Sequence, residues 1–296
     1  MLTVLLGLGT ALVFGAADFF GGLAAKRMSA LLTTAVSALA GLVAVALIGL
    51  PLLGGAWSTE AVWLGILSGV VGATAIALLY ACLAIGPMSI LSPLTAVVSA
   101  IVPLTVGLIG GERLGPLGYV ALALALVAIV LVGYTPPGSG DLVRGAVRPS
   151  LRALLMAVAS GAAIGAFLII IDATPDDSGM LPLVFNRATS SVLMFAAVAV
   201  VAIAAWRRGT GAAASTRATR AGILIAVVCG VLDVTANAGV LLGVRLGDLS
   251  IVAVLTALYP AGTIILAAVV LKERIAVLQY VGLALAIGAA ALLALA

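Results

Sequence analysis

Polar residues in this chain gather into short clusters, and long apolar runs fill the space between them. The runs cover residues 2–25, 30–53, 61–85, 88–110, 115–134, 151–173, 181–206, 220–244, 248–271 and 275–295. Each has about the 17–25 residues that a helix needs to cross the hydrocarbon core of a bilayer. The breaks carry turn formers and charges: Pro51 with Gly54-Gly55, Gly86-Pro87, Glu112-Arg113 with Pro116, and Pro136-Pro137-Gly138. After these come Asp176-Asp177 with Gly179, Arg207-Arg208-Gly209, Gly247-Asp248 and Lys272-Glu273-Arg274. Alternating ten-residue strands, the mark of a membrane barrel, are absent, so helices are the spanning element. The pattern predicts an all-α polytopic membrane protein with ten transmembrane helices.

Composition fits that class and removes others. The chain is 65% hydrophobic and 8% charged, whereas soluble domains carry about a quarter charged residues. Its net charge of +4 comes from loop residues and reports topology, not nucleic-acid binding. Loops after odd-numbered runs hold eleven of the 14 Lys and Arg residues; even-numbered loops hold only Arg113 and Arg245, and Arg187 lies inside a run. The positive-inside rule then puts the odd loops in the cytoplasm and both termini outside. With no histidine, a Ser-His hydrolase, a zinc protease motif and a histidine proton relay are excluded. Cys82 and Cys229 both fall in apolar runs, which argues against a disulfide framework or a zinc site. No phosphate-binding loop of a primary pump occurs. The first run is long and has no basic residue before it, so it reads as a span and not as a cleaved leader.

The chain repeats itself. With an offset of 161, residues 86–125 align without a gap onto 247–286, and 16 of the 40 pairs are identical. Alanine and leucine match easily by chance, but Ser89-Ile90 with Ser250-Ile251, Glu112-Arg113 with Glu273-Arg274, and Tyr119-Val120 with Tyr280-Val281 do not. This divides the chain into a first five-helix repeat over 1–140, a linker at 141–150 and a second five-helix repeat over 151–296. An odd number of spans per copy turns the second copy upside down. Inverted repeats are a transporter architecture, with substrate held near the midplane between the copies.

Several motifs carry a family resemblance. Five-plus-five spans, a Glu-Arg after the fourth and ninth, and a Tyr-Val-x-Leu-x-Leu run after each resemble the EamA-type drug/metabolite transporter superfamily. Phe14-Gly15-Ala16-Ala17-Asp18-Phe19-Phe20-Gly21-Gly22 is similar to the opening of one bacterial branch, with Phe14 where that branch has Trp. Leu232, Asp233, Ala236 and Asn237 match its eighth span, and Leu258-Tyr259-Pro260 its ninth. The resemblance implies small-molecule transport, often export, without naming a substrate. It also implies cytoplasmic termini, against the charge bias.

Independently of the resemblance, four polar residues inside the runs stand out. An ionisable side chain near the bilayer centre costs about 2.5–3.5 kcal/mol on insertion scales and is by default a functional candidate. Asp233 is 13 residues after Arg220 and 12 before Arg245, about 18–20 Å from each charged end. Asn237 follows one turn later on the same face. Asp18 is eight residues before Lys26, about 12 Å deep, which brings it near the level of Asp233. Arg187 enters from the other side, about 9 Å deep, and can either reach toward Asn237 and Asp233 or snorkel to the interface as an anchor. A static polar contact that locks packing is the structural alternative for the two acids. Phe14, Gly15, Thr74, Tyr80, Thr235 and Tyr259 complete a candidate cavity lining; Thr74 is the repeat equivalent of Thr235.

The expected protein is a secondary transporter of the plasma membrane that works by alternating access, with Asp18, Asp233, Asn237 and Arg187 binding substrate or proton. Spans one, three, six and eight would line the cavity, and spans four, five, nine and ten would support it. Its partners would be a small-molecule substrate and membrane lipid, with a proton as candidate coupling ion and no nucleic acid. No cofactor, metal ligand set or catalytic residue is indicated, and the oligomeric state is open. The alternative is an integral membrane enzyme or lipid-handling protein with a static polar pocket. Against it stands the lack of any nucleophile-base pair.

Overall fold

The computed structural model describes residues 2–85, 88–134, 149–207, 219–270, 272 and 276–295, which are helical apart from short connections. The helices are α1 (Leu2–Ala25), α2 (Ala30–Ala44), α3 (Leu50–Leu53), α4 (Thr59–Ile85), α5 (Met88–Ile109) and α6 (Pro116–Val132). They continue as α7 (Leu151–Asp172), α8 (Leu181–Arg207), α9 (Arg220–Leu246), α10 (Leu249–Thr256), α11 (Tyr259–Val270) and α12 (Val277–Leu295). A π-helical turn at Val45–Gly49 carries α2 into α3. Among the described residues, eight helical stretches are long and apolar enough to cross a membrane, and Leu94–Ile109 and Pro116–Val132 are shorter apolar helices. The linker at 141–148 and the pair Glu273-Arg274 lie outside the described residues.

Local chemistry explains where helices start. The side-chain oxygens of Ser29, Ser58, Ser150 and Thr219 accept from the backbone N–H of Leu32, Ala61, Ala153 and Gly222 at 3.3, 3.3, 3.2 and 3.0 Å. Each satisfies a donor that the first turn leaves without an intrahelical partner. The ninth apolar run is not one helix. Pro260 has no N–H to give the carbonyl of Thr256, so α10 ends there and α11 begins at Tyr259.

The chain packs into two compact units that cut across the sequence repeat. One unit holds Met1–Leu12, Thr74–Asp172 and Gly239–Ala296; the other holds Val13–Ala73 and Ala173–Ala238. Each unit therefore draws on both halves of the chain.

In the first unit, a core of small and branched side chains, among them Ala96, Ala100, Ala125, Ile129, Leu255, Leu258 and Ala289, joins α5, α6, α10 and α12. Small residues let the backbones approach: a Cβ on Gly161 of α7 would stand 2.6 Å from the Thr95 carbonyl oxygen, and one on Gly282 of α12 2.7 Å from the Val132 nitrogen. Glu112 caps a neighbouring helix. Its carboxylate accepts from the backbone N–H of Leu249 at 2.8 Å and of Ser250 at 3.2 Å. It thus serves as the anionic cap that Asp248, whose side chain makes no capping bond, does not supply.

In the second unit, α2 packs on α8 and α4 packs on α8 through glycines. A Cβ on Gly65 would meet the Pro182 carbonyl oxygen at 2.6 Å, and one on Gly69 the Asn186 carbonyl oxygen at 2.7 Å. Between these glycines the buried Asn186 donates through Nδ2 to Ser68 Oγ at 2.9 Å. At one end of the unit two turns pair through backbone alone: Ala56 N–H donates to the Asp177 carbonyl at 2.8 Å and Met180 N–H to the Gly54 carbonyl at 3.1 Å. Gly54 and Gly179 adopt φ of 69° and 51°, a region costly for residues with a Cβ.

Candidate functional site

Asp233 lies at the middle of α9, 13 residues from either end, about 20 Å along the helix. Arg187 is on the second turn of α8, and its guanidinium turns inward: Nη1 stands 2.5 Å from Asp233 Oδ2. The side chains are 13% and 30% exposed, so the pair is shielded but not sealed. Only part of the guanidinium is used, because Nε is buried without a hydrogen-bond partner among the described residues. Asn237, one turn after Asp233, donates through Nδ2 to the Asp233 backbone carbonyl at 2.7 Å, with Oδ1 of the same residue at 3.5 Å. It is itself buried, and ties the carboxylate's own turn in place.

Helix α2 makes room for this pair. A Cβ on Gly41 would stand 3.1 Å from the Gly230 carbonyl oxygen and 3.5 Å from Arg187 Cδ, so the aliphatic stem of Arg187 lies in the groove that Gly41 leaves. Ser37, one turn earlier, donates to the Ala226 carbonyl at 2.9 Å and shares a hydrogen bond with Cys229. Cys229 lies within the fields of Asp233, Asp18 and Arg187 together.

Asp18 on α1 is within Coulombic reach of Asp233. Unlike Asp233, it has neither a hydrogen bond nor an ion pair among the described residues. It is also exposed, and the direction of that exposure matters. Asp18 and Gly22 continue the helix face of Val4, Ala11 and Gly15, which are buried. Asp18 is turned about 120–140° from the exposed Leu5 and Leu12, at 100° per residue. Asp18 therefore lies on a different face of α1 from the exposed leucines.

The remaining candidates divide. Phe14 is half-buried one turn before Asp18, and Gly15 is buried beside it. Thr235 is exposed, with its hydroxyl donating to the Val231 carbonyl of its own helix at 2.8 Å. Thr74 is exposed and Tyr259 half-buried, and both belong to the other compact unit. The side chain of Tyr80 lies outside the described residues. Asp18, Arg187, Asp233 and Asn237 thus meet within one unit. Ser37, Gly41, Cys229 and Gly230 join them without having stood out in the sequence. No group of three or more His, Cys, Asp or Glu that could hold a metal occurs among the described residues.

Comparison with known proteins bears on this arrangement. Residues 151–295 match the model of the EamA-like transporter family. No curated protein matches the chain. A solved structure titled only "Crystal structure of protein" is similar to it with a TM-score of 0.75 and 17% identity, covering 99% of this chain and 98% of that one. At that identity the likeness concerns the fold alone. The chain is a multi-pass membrane protein whose residues 151–295 match the EamA-like transporter family.

Proposed function

We propose that the protein is a secondary transporter that exports a small metabolite or drug-like solute from the cell across the plasma membrane by alternating access. Its ten apolar runs would form two inverted five-helix repeats, and a proton would be the coupling ion. One observation carries the reading: an Arg–Asp ion pair near mid-span, with a second acid in its field that has no partner among the described residues. A protein that needed only to lock its helices could use apolar packing, since a buried ion pair is weak evidence of stability. Partial exposure of the pair lets a solute or proton compete for it. Arg187 bound to Asp233 would hold one state; release of the pair would free α8 from α9.

Solute flux in protein-reconstituted vesicles, with and without a pH gradient, tests this directly. Solute movement that depends on the protein and responds to the gradient supports the reading. Flux equal to that of empty vesicles across a broad solute panel would refute it.

A further inference from the structure

Between α4 and α7, within the first compact unit, runs an open groove of about 480 Å³ lined by Leu78, Leu151, Arg152, Leu155, Met156 and Ala159. Five of these residues are apolar, and the sixth carries a guanidinium at the second position of α7. The geometry points to a binding site for one anionic phospholipid, with its hydrocarbon in the groove and its phosphate on Arg152. The site is independent of the transport reading, because it shares no residue with Asp18, Arg187, Asp233 or Asn237.

The walls follow from how the two helices meet. Ala153 and Ala157 are buried in one cluster with Cys82 and Leu91, so that face of α7 is filled. Leu151 and Leu155, four residues apart on another face, are 72% and 60% exposed. At the deep end Ser160 Oγ donates to the Ala75 carbonyl at 2.8 Å and closes α7 onto α4. Arg152 marks the other end. The 22 residues of α7 span about 33 Å, close to the hydrocarbon core of roughly 30 Å, so its second residue stands at the interface. From there to Ala159 is about 10 Å along the axis, which keeps the groove within one leaflet. Its volume over that length gives a cross-section of about 50 Å², against about 80–110 Å² for a helix 10–12 Å across. Hydrocarbon chains fit there and a partner helix does not.

Charge selects the headgroup. The Arg152 side chain has no ion pair or hydrogen bond among the described residues. The first turn of α7 holds no acidic residue, and the helix N-terminus adds its own positive potential. A phosphodiester matches the planar fork of a guanidinium. A lipid that is anionic overall brings no ammonium group to oppose it.

Native mass spectrometry of the purified full-length protein in detergent gives the test, by titration with dioleoyl phosphatidylglycerol, dioleoyl phosphatidylcholine or glycerol 3-phosphate. One phosphatidylglycerol should be retained about fivefold more tightly than phosphatidylcholine, the share of one basic residue in attraction to anionic lipid. Arg152→Gln should remove that preference, and Arg152→Lys, which keeps the charge, should retain most of it and control for folding. Ala159→Trp, which fills the groove and leaves the guanidinium in place, should weaken retention of both lipids. Equal retention of the two lipids, no retention of either, or an unchanged preference in Arg152→Gln would each overturn the inference. Unchanged retention in Ala159→Trp would do the same. Displacement of the lipid by glycerol 3-phosphate would reduce the site to a phosphate contact, and a lipid-free dimer in the same spectra would assign the groove to a second copy of the chain; either result also overturns it.

Discussion

Gly230 of α9 lies so close to Ser37 of α2 that a single added methyl group would overlap the Ser37 carbonyl oxygen. The same stretch of α2 places Gly41 against the Gly230 carbonyl oxygen and the stem of Arg187. Two helix backbones in contact thus set the position from which Arg187 meets Asp233. Gly230→Ala should therefore destabilise the protein by about 1–3 kcal/mol, the usual range for overpacking. It should also weaken solute binding, since α2 cannot move without disturbing the groove for Arg187. Thermal unfolding in detergent, paired with a binding isotherm, would show both. An unchanged melting temperature would mean that the two backbones separate freely.

Asp233→Asn keeps the shape of the side chain and removes its charge. The expected product is a membrane-inserted protein without gradient-dependent transport, in which Arg187 has lost its counter-ion. The stability loss should be about 2 kcal/mol, less than for a fully buried pair broken on one side because Asp233 is 30% exposed. Exchanging the two residues, Arg187→Asp with Asp233→Arg, should recover stability if the pair is the cause. Arg187→Lys should recover only what a point charge supplies, since lysine lacks the planar fork. Full, pH-independent transport by Asp233→Asn would reduce this residue to packing.

Glu112 acts at a distance from these charges along the sequence and has a separate role. Replacing it by Ala removes the acceptor of two backbone N–H groups at the start of α10. A loss of about 1–2 kcal/mol is expected, as for a helix cap. Glu112→Gln should recover only part of it, because the amide keeps one acceptor oxygen and loses the charge. Chemical denaturation in mixed micelles measures both variants, with solute flux in vesicles as a readout that should stay constant.

The hydrogen bond from Asn186 to Ser68 joins α8 to α4 between two glycine contacts. Within membranes such bonds average about 0.6 kcal/mol by double-mutant cycles. Ser68→Ala, Asn186→Leu and the double variant should show a coupling of about that size. A coupling near zero would assign the association of these helices to the glycines alone.

What the sequence disclosed follows from what leaves a periodic trace. Helix positions were legible because apolar runs of bilayer length have distinct ends, as at Gly54 and Gly179. Asp233 and Asn237 were legible as neighbours because four residues return a helix to the same face. Arg187 was ambiguous, since a long side chain on the second turn can reach either the interface or the bundle interior, and only the fold around Gly41 decides. Ser37, Gly41 and Gly230 left no trace. Their contacts join parts of the chain nearly 200 residues apart, and one glycine among 35 looks like any other. The compact units were equally hidden. A repeat records kinship between segments, while packing follows which faces meet, and α1, α4 and α9 each run through both units.

The paired turns at 54–56 and 177–180 fix a datum. They are joined by main-chain atoms, so side-chain changes there matter chiefly at Gly54, Gly55 and Gly179, whereas a change in chain length is felt wherever it falls. Arg187 is eight residues beyond Gly179, and its height and bearing on α8 are counted from that anchor. One residue inserted between them would swing the guanidinium about 100° around the helix and lift it about 1.5 Å. The register of Arg187 is thus stored in a number of residues, at a place far from the charge it serves.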